Sequence, residues 1–431
     1  MLKEDYGLKG SPNIGLAGAT LGFFVGFAAV ALYGPTAKML KDVMGLSGTL
    51  LGFLVAAPQL TGSLLRIPFG AWVDRVGGKK PMITLLIMSL IGMIGLTSIL
   101  FLNYPQNLGI EYYPLILFFG FLSGCGVATF SVGIPQTSYW FPLKKQGIAL
   151  GTYAGLGNTA PGIFTILLPF ALAAFGLAGS YLAWTVFLFV GLFIYLYVSH
   201  DAFYFQLFHK GKSRDESISI SKGMGQELIP SGQLVEALKK SAKIGRTWAL
   251  VILYFTSFGG FLALTVWFPT YWIVFHGFDL KTAALLGGVG FSLLASFIRV
   301  YGGHLSDKIG GETAAIISFS LVTLGALVLM FAQAFGLALF GELLIGAGMG
   351  IANAAVFKLV AKYVPEAVGG ASGWVGGLGA FGGFAVPPML GLFVDIYGNI
   401  GYAKGFVIYV ILGVLCIVTA IILMKKFGKA K

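Results

Sequence analysis

The chain has 431 residues, 57% of them hydrophobic and only 10% charged, with a formal net charge of +12. That composition excludes a soluble globular domain and describes a protein that crosses a membrane several times. The positive charge lies at the ends of apolar runs and in one polar stretch, not along a continuous basic face, which argues against nucleic acid as a partner. Cys125 and Cys416 both sit within apolar runs, so no disulfide framework, metal site or cofactor is expected. Met1–Pro12 is polar and precedes a run long enough to span, so no cleavable leader is expected.

Twelve apolar runs follow one another, near 14–34, 48–72, 81–102, 113–140, 147–174, 178–199, 247–274, 282–304, 313–334, 336–361, 368–395 and 403–424. Most match the roughly 20 residues that a helix needs to cross a bilayer. With both termini cytoplasmic, 21 of the 28 lysines and arginines fall on inner segments and four on outer loops. Arg66, Arg299 and Lys358 remain inside runs. This bias predicts that both termini face the cytoplasm, in a multi-pass protein of the cell membrane. The fold class expected is all-α, with two six-helix bundles at 1–199 and 247–431 joined by a cytoplasmic linker at 200–246. Within the linker, Ser213–Ser221 is hydrophilic and Ser231–Lys243 is compatible with a short amphipathic helix.

Two internal repeats support the division. Ser63, Arg66, Gly70, Asp74, Gly77 and Gly78 recur as Ser296, Arg299, Gly303, Asp307, Gly310 and Gly311, at a constant separation of 233 residues. Gly147, Ala149, Gly151, Gly155, Leu156 and Gly157 recur as Gly369, Ala371, Gly373, Gly377, Leu378 and Gly379, at a separation of 222. An arginine inside hydrocarbon is costly and normally marks a polar cavity. Arg66 lies eight residues from Asp74, roughly 12 Å deep, and Arg299 lies equally far from Asp307. Two guanidiniums facing each other at mid-membrane repel, and an anion between them would resolve the charge. Their planar paired donors suit a planar oxyanion. The glycines of the second repeat (Gly155, Gly157, Gly377 and Gly379) are expected to let the two halves pack closely and rock. Asp74, Arg75 and Asp307 are expected to act at the gates. Glu342 is the one acid deep within a run, open to a proton-coupling role or to a packing hydrogen bond.

Gly70-x3-Asp74-Arg75-x-Gly77-Gly78-Lys79-Lys80 resembles the cytoplasmic motif of the major facilitator superfamily. Ala154-Gly155-Leu156-Gly157-Asn158, the stretch from Gly376 to Pro387, and Leu64–Gly70 resemble the nitrate/nitrite porter family within it. Here Asn158 is followed by Thr159-Ala160-Pro161-Gly162, a departure from the family's more usual glycine. The resemblance implies a monomeric secondary transporter of nitrate, nitrite or both, working by alternating access. It also implies that Phe130 and Phe258 flank the anion, with Tyr254 and Asn158 beside them. For the anions that the resemblance implies, the residues point to exchange, because an empty and strongly positive site should reorient poorly. Proton-coupled nitrate symport and transport of a small organic anion such as oxalate or formate are the rival readings. An anion channel, an enzyme or a receptor finds no support in a chain of symmetric repeats without a catalytic constellation.

Overall fold

Each of the twelve apolar runs corresponds, to within a few residues at its ends, to a helical crossing in the computed structural model, which describes residues 6–230 and 234–427. The first six crossings are α1 (Pro12–Met44), α2 (Gly48–Val76), α3 (Lys79–Asn103), α4 (Ile110–Ser138), α5 (146–175) and α6 (177–198). The last two are one continuous helical stretch except at Gly176, whose φ of 68° turns the chain back on itself. Glycine adopts that left-handed conformation without the Cβ clash that other residues suffer. Three short linker helices follow: α7 (Phe203–His209), α8 (Arg214–Gly223) and α9 (Leu234–Ala242). The second six crossings are α10 (Gly245–Val274), α11 (Leu280–Ile309), α12 (Gly311–Phe331), α13 (Phe335–Tyr363), α14 (Pro365–Lys404) and α15 (Val407–Phe427).

The helices outrun the apolar runs at several ends. Lys38 and Lys41, expected in a loop, lie on the last turns of α1. The expected amphipathic helix is present as α9; Ser231, where that expectation began, lies outside the described residues, as do Lys3, Lys429 and Lys431. The hydrophilic stretch at 213–221 is not irregular. Ser213 caps α8 and Glu216 returns the bond to the Ser213 N–H, a reciprocal cap that starts a helix even in polar sequence.

Surface and interior are arranged for lipid. Leu102, Phe193, Tyr197, Phe331 and Ile411 are exposed, whereas Gln59, Arg66, Asn158, Glu342 and Asn353 are buried. Apolar side chains facing outward cost nothing in hydrocarbon, so the polar groups collect where the helices meet. The chain's beginning, the linker and the last helix share one face. Lys210 Nζ donates to the carbonyls of Tyr6 and Gly7, and Arg246 lies against the ring of Phe427.

The helices that surround the centre are irregular near mid-membrane. α1 breaks at Ala28 and Ala29, α2 at Leu65, α5 at Thr159 and α14 at 379–381. α4 tightens to a 3₁₀ turn at Cys125–Ala128, while α10 and α11 widen to π-helix at Phe255–Gly259 and Leu286–Leu293. Such breaks re-aim side chains and free backbone groups, and inside a membrane they persist only where protein or a cavity surrounds them.

Candidate functional site

A cavity of about 840 Å³ opens on the face that carries the linker and ends at Arg66, Phe130 and Arg299. The break at Leu65 places Arg66 at the start of the second segment of α2, with its guanidinium turned inward. Its Nε donates to the Gly62 carbonyl at 2.9 Å and its Nη1 to the Gly376 carbonyl of α14 at 3.4 Å. Arg66 is only 2% exposed, and its Nη2 has no partner among the described residues. Arg299, from α11, is half-buried and faces the same cavity.

Phe130 and Phe258 flank both cations. The Arg66 guanidinium carbon lies 4.8 Å from the Phe130 ring centre and 4.9 Å from that of Phe258. Arg299 lies 6.0 and 5.7 Å from the same rings. These distances are within reach of cation–π attraction, which offsets part of the cost of burying the cations. The two rings stack with centres 6.0 Å apart. A planar guest between two ring faces needs about 7–8 Å, twice the usual carbon–carbon contact. The expected flanking pair is therefore brought together, but too closely to hold an anion between its faces until the rings part. Tyr254 stacks on Phe258 at 5.1 Å and meets Phe357 edge-on at 4.9 Å, so it buttresses the ring from behind.

Asn158 lies behind the cavity floor. One of its amide hydrogens bonds the Ala154 carbonyl at 2.7 Å, and its Oδ1 is buried without a partner among the described residues. Its backbone carbonyl accepts from Ser296 Oγ at 3.4 Å. The two repeats thus meet crosswise, with the serine–arginine turn of α2 against the glycines of α14, and that of α11 against the end of the glycine segment of α5.

The glycines divide in a way that spacing alone does not show. A Cβ on Gly377 would lie 2.5 Å from Ile67 of the other half, as expected for close packing between halves. Gly157 instead presses on Phe23, and Gly379 on Tyr254 and the Val375 carbonyl, each within its own half. Gly155 has nothing within 4 Å and faces the open cavity. The expectation of packing between halves at all four positions is corrected to Gly377 alone in this conformation, because the cavity separates α5 from its opposite number.

At the mouth, Asp74 Oδ1 accepts from the Tyr139 hydroxyl at 2.6 Å, and Asp307 Oδ1 pairs with Lys358 Nζ at 2.7 Å. Arg75 is exposed. Sequence reading missed Tyr139, whose contact with Asp74 spans 65 residues, and Tyr153, whose hydroxyl bonds the Phe130 carbonyl at 2.9 Å. It also missed Leu238 of α9, which lines the cavity and hands its carbonyl to Trp374 Nε1 at 3.0 Å. No sequence signal links these positions. Glu342 does not line the cavity; its Oε2 accepts from Trp272 Nε1 at 3.2 Å.

The opposite face is shut. Gly48 N–H and Thr49 N–H donate to the Asp395 carboxylate at 2.5 and 2.8 Å, tying α2 to α14. Gly48 and Gly391 touch backbone to backbone, and Thr270 Oγ1 reaches the Gly34 carbonyl at 3.1 Å. A two-half helical bundle with a central charged floor, open on one face and sealed on the other, is the architecture of a secondary transporter caught in one of its states. The sequence profile of the Major Facilitator Superfamily matches residues 19–387 and 288–429, and the chain belongs to that superfamily. It is 31% identical over 398 residues to the probable nitrate/nitrite antiporter NarK1 of Thermus thermophilus, covering 86% of this chain and 83% of that one. It is 28% identical over 407 residues to the probable nitrate transporter NarT of Staphylococcus epidermidis, covering 94% and 95%. Among solved structures it is similar to the partially occluded, inward-open xylose transporter XylE from E. coli, with a TM-score of 0.71, 19% identity and coverage of 97% and 99%.

Proposed function

We propose that the chain exchanges nitrate and nitrite across the cell membrane by alternating access, as a monomer, with Arg66 and Arg299 as the anion's charged contacts. The observation that carries this reading is the unpartnered Arg66 Nη2, buried beside the stacked rings of Phe130 and Phe258 at the floor of a cavity that also holds Arg299. A fixed donor in a water-poor site binds a planar oxyanion more strongly than the same donor in water. The names of NarK1 and NarT support this choice of anion. Asp74 and Asp307 stand at equivalent places at the mouth, the first bonded to Tyr139 and the second paired with Lys358, each a residue of its own half. In this reading residues 1–199 and 247–431 move as the two halves, and 200–246 links them. Nitrate outside liposomes loaded with nitrite should accelerate nitrite release; equal release with and without external nitrate would defeat the exchange reading.

Exchange requires no titrating group in the cycle. Glu342 lies away from the cavity and bonds Trp272, so Glu342→Gln, which keeps an acceptor for that indole, should leave counterflow largely intact. Net uptake that is driven by an imposed pH gradient without a counter-anion, and is lost in Glu342→Gln, would establish proton symport in its place.

The reading takes the open face as cytoplasmic, in keeping with the positive-inside bias. Gln106 and Ser213 are both exposed, on opposite faces, and the two native cysteines are buried. On intact cells an impermeant maleimide should label Gln106→Cys at once and Ser213→Cys only after permeabilisation. The reverse pattern would invert the orientation.

A further inference from the structure

Beyond the arginines, toward the shut face, Gln59, Trp267 and Tyr402 are among the buried polar side chains with no hydrogen-bond partner among the described residues. Gln59 of α2 is 0% exposed, and neither its amide nitrogen nor its carbonyl oxygen has a partner among the described residues. Trp267 of α10 is equally buried with its Nε1 unpartnered, and Tyr402 of α14 is 1% exposed with its hydroxyl unpartnered. Buried polar groups are normally satisfied, and leaving them unmet is costly, so these unmet groups call for a reason.

Their positions supply one. Gln59 lies seven residues from Arg66 along α2, two helical turns or roughly 10 Å nearer the shut face. It stands where the halves meet: a Cβ on Gly383 of α14 would lie 3.3 Å from Gln59 and 2.7 Å from Leu262 of α10. Trp267 lies nine residues beyond Phe258 in the same direction along α10 and packs on Tyr402 with ring centres 5.6 Å apart. Tyr402 in turn lines a shallow depression of about 420 Å³ on the shut face, beside Lys41 and Asp395. The unpaired groups therefore run from the floor of the site to the surface where the route is closed.

We propose that Gln59, Trp267 and Tyr402 line the anion's passage through the half of the protein that is shut in this state, and that Gln59 is its first contact beyond the arginine pair. Each offers an N–H or O–H donor and none a negative charge, which suits a small oxyanion. When α2 and α14 part at Gly48 and Asp395, the three donors gain a guest and their burial without partners ends. The same groups then bias the cycle, because an unpaired amide makes the present closure less favourable and so helps it to open. The inference rests on the anion reading above and extends it to the face that reading leaves undescribed.

The test compares the two faces of the membrane. Nitrate uptake in exchange for nitrite is measured in right-side-out and in inverted vesicles, for the wild type, Gln59→Leu and Tyr402→Phe. Gln59→Leu removes the amide at nearly constant size, and Tyr402→Phe removes a single hydroxyl from a ring whose packing stays. For nitrate presented to the shut face, KM should rise about tenfold in Gln59→Leu, the expected loss of a hydrogen bond to a charged guest. Tyr402→Phe should raise it less, and KM from the open face should stay near that of the wild type in both. Equal changes from the two faces, or none from either, in both variants would overturn the proposal while leaving anion exchange standing. A wild type that neither binds nor exchanges nitrate would instead sink the anion reading, and this proposal with it.

Discussion

Arg66→Lys and Arg299→Lys should each reduce nitrate binding by about one to two orders of magnitude while the protein still folds. The charge survives in both variants, so a site that needs only positive potential would keep most of its affinity. What lysine loses is the rigid planar fork. Arg66 uses one donor on Gly62 and one on Gly376 and holds Nη2 free at the cavity floor. A lysine ammonium cannot satisfy those carbonyls and present a fixed donor to a guest at once. A hydrogen bond to a charged group contributes about 1.5–3 kcal/mol, and each 1.4 kcal/mol is about tenfold in affinity. Arg66→Lys should be the more damaging, because its guanidinium also lies closer to both rings, at 4.8 and 4.9 Å, than that of Arg299. Titration calorimetry on purified, monodisperse protein measures the loss. Affinity near that of the wild type in both variants would show that the arginines are structural.

Much of this site was legible because it occurs twice. The shared register of Arg66 with Asp74 and Arg299 with Asp307 is enough to place both cations at mid-membrane. Phe130, Phe258 and Tyr254 needed the family resemblance, since no spacing distinguishes them among 38 phenylalanines and 18 tyrosines. The helix breaks at Leu65, Thr159 and 379–381 left no clear trace in composition. They depend on carbonyls and side chains that meet only after α2, α5 and α14 assemble. The glycine repeat illustrates the same limit. Gly155 and Gly377 occupy equivalent positions in sequence, yet one faces open space and the other presses on Ile67. A repeat encodes what both halves share, whereas the open mouth is a difference between them and belongs to the conformation. Gln59 was readable as a polar residue in an apolar run, but its lack of a partner follows from the packing of three helices distant in sequence.

That asymmetry leads to the other large expected effect. Gly147, Gly151 and Gly155 lie on successive turns of α5, and a Cβ on any of them would meet nothing within 4 Å. Across the cavity stand Gly369, Gly373 and Gly376 of α14 and Gly303 of α11. Two glycine-lined faces that do not touch in the open form are suited to meet when the mouth closes, since small residues let backbones approach. Gly155→Phe should therefore fold normally, its ring lying in a cavity of about 840 Å³, and should obstruct closure. Forcing an extra side chain into a packed interface costs about 1–3 kcal/mol, which slows exchange roughly tenfold to a hundredfold. Nitrate binding from the open face should persist, because Arg66 and Arg299 remain in place. A cysteine introduced at Ser372, which lines the cavity, should stay reactive to maleimide in the presence of nitrate. Gly155→Ala, which adds a single methyl group, should be far milder. Wild-type counterflow in Gly155→Phe would mean that α5 and α14 never close on one another at this level, and that the mouth is sealed by other elements, with α9 the first to examine because Leu238 already stands in the opening.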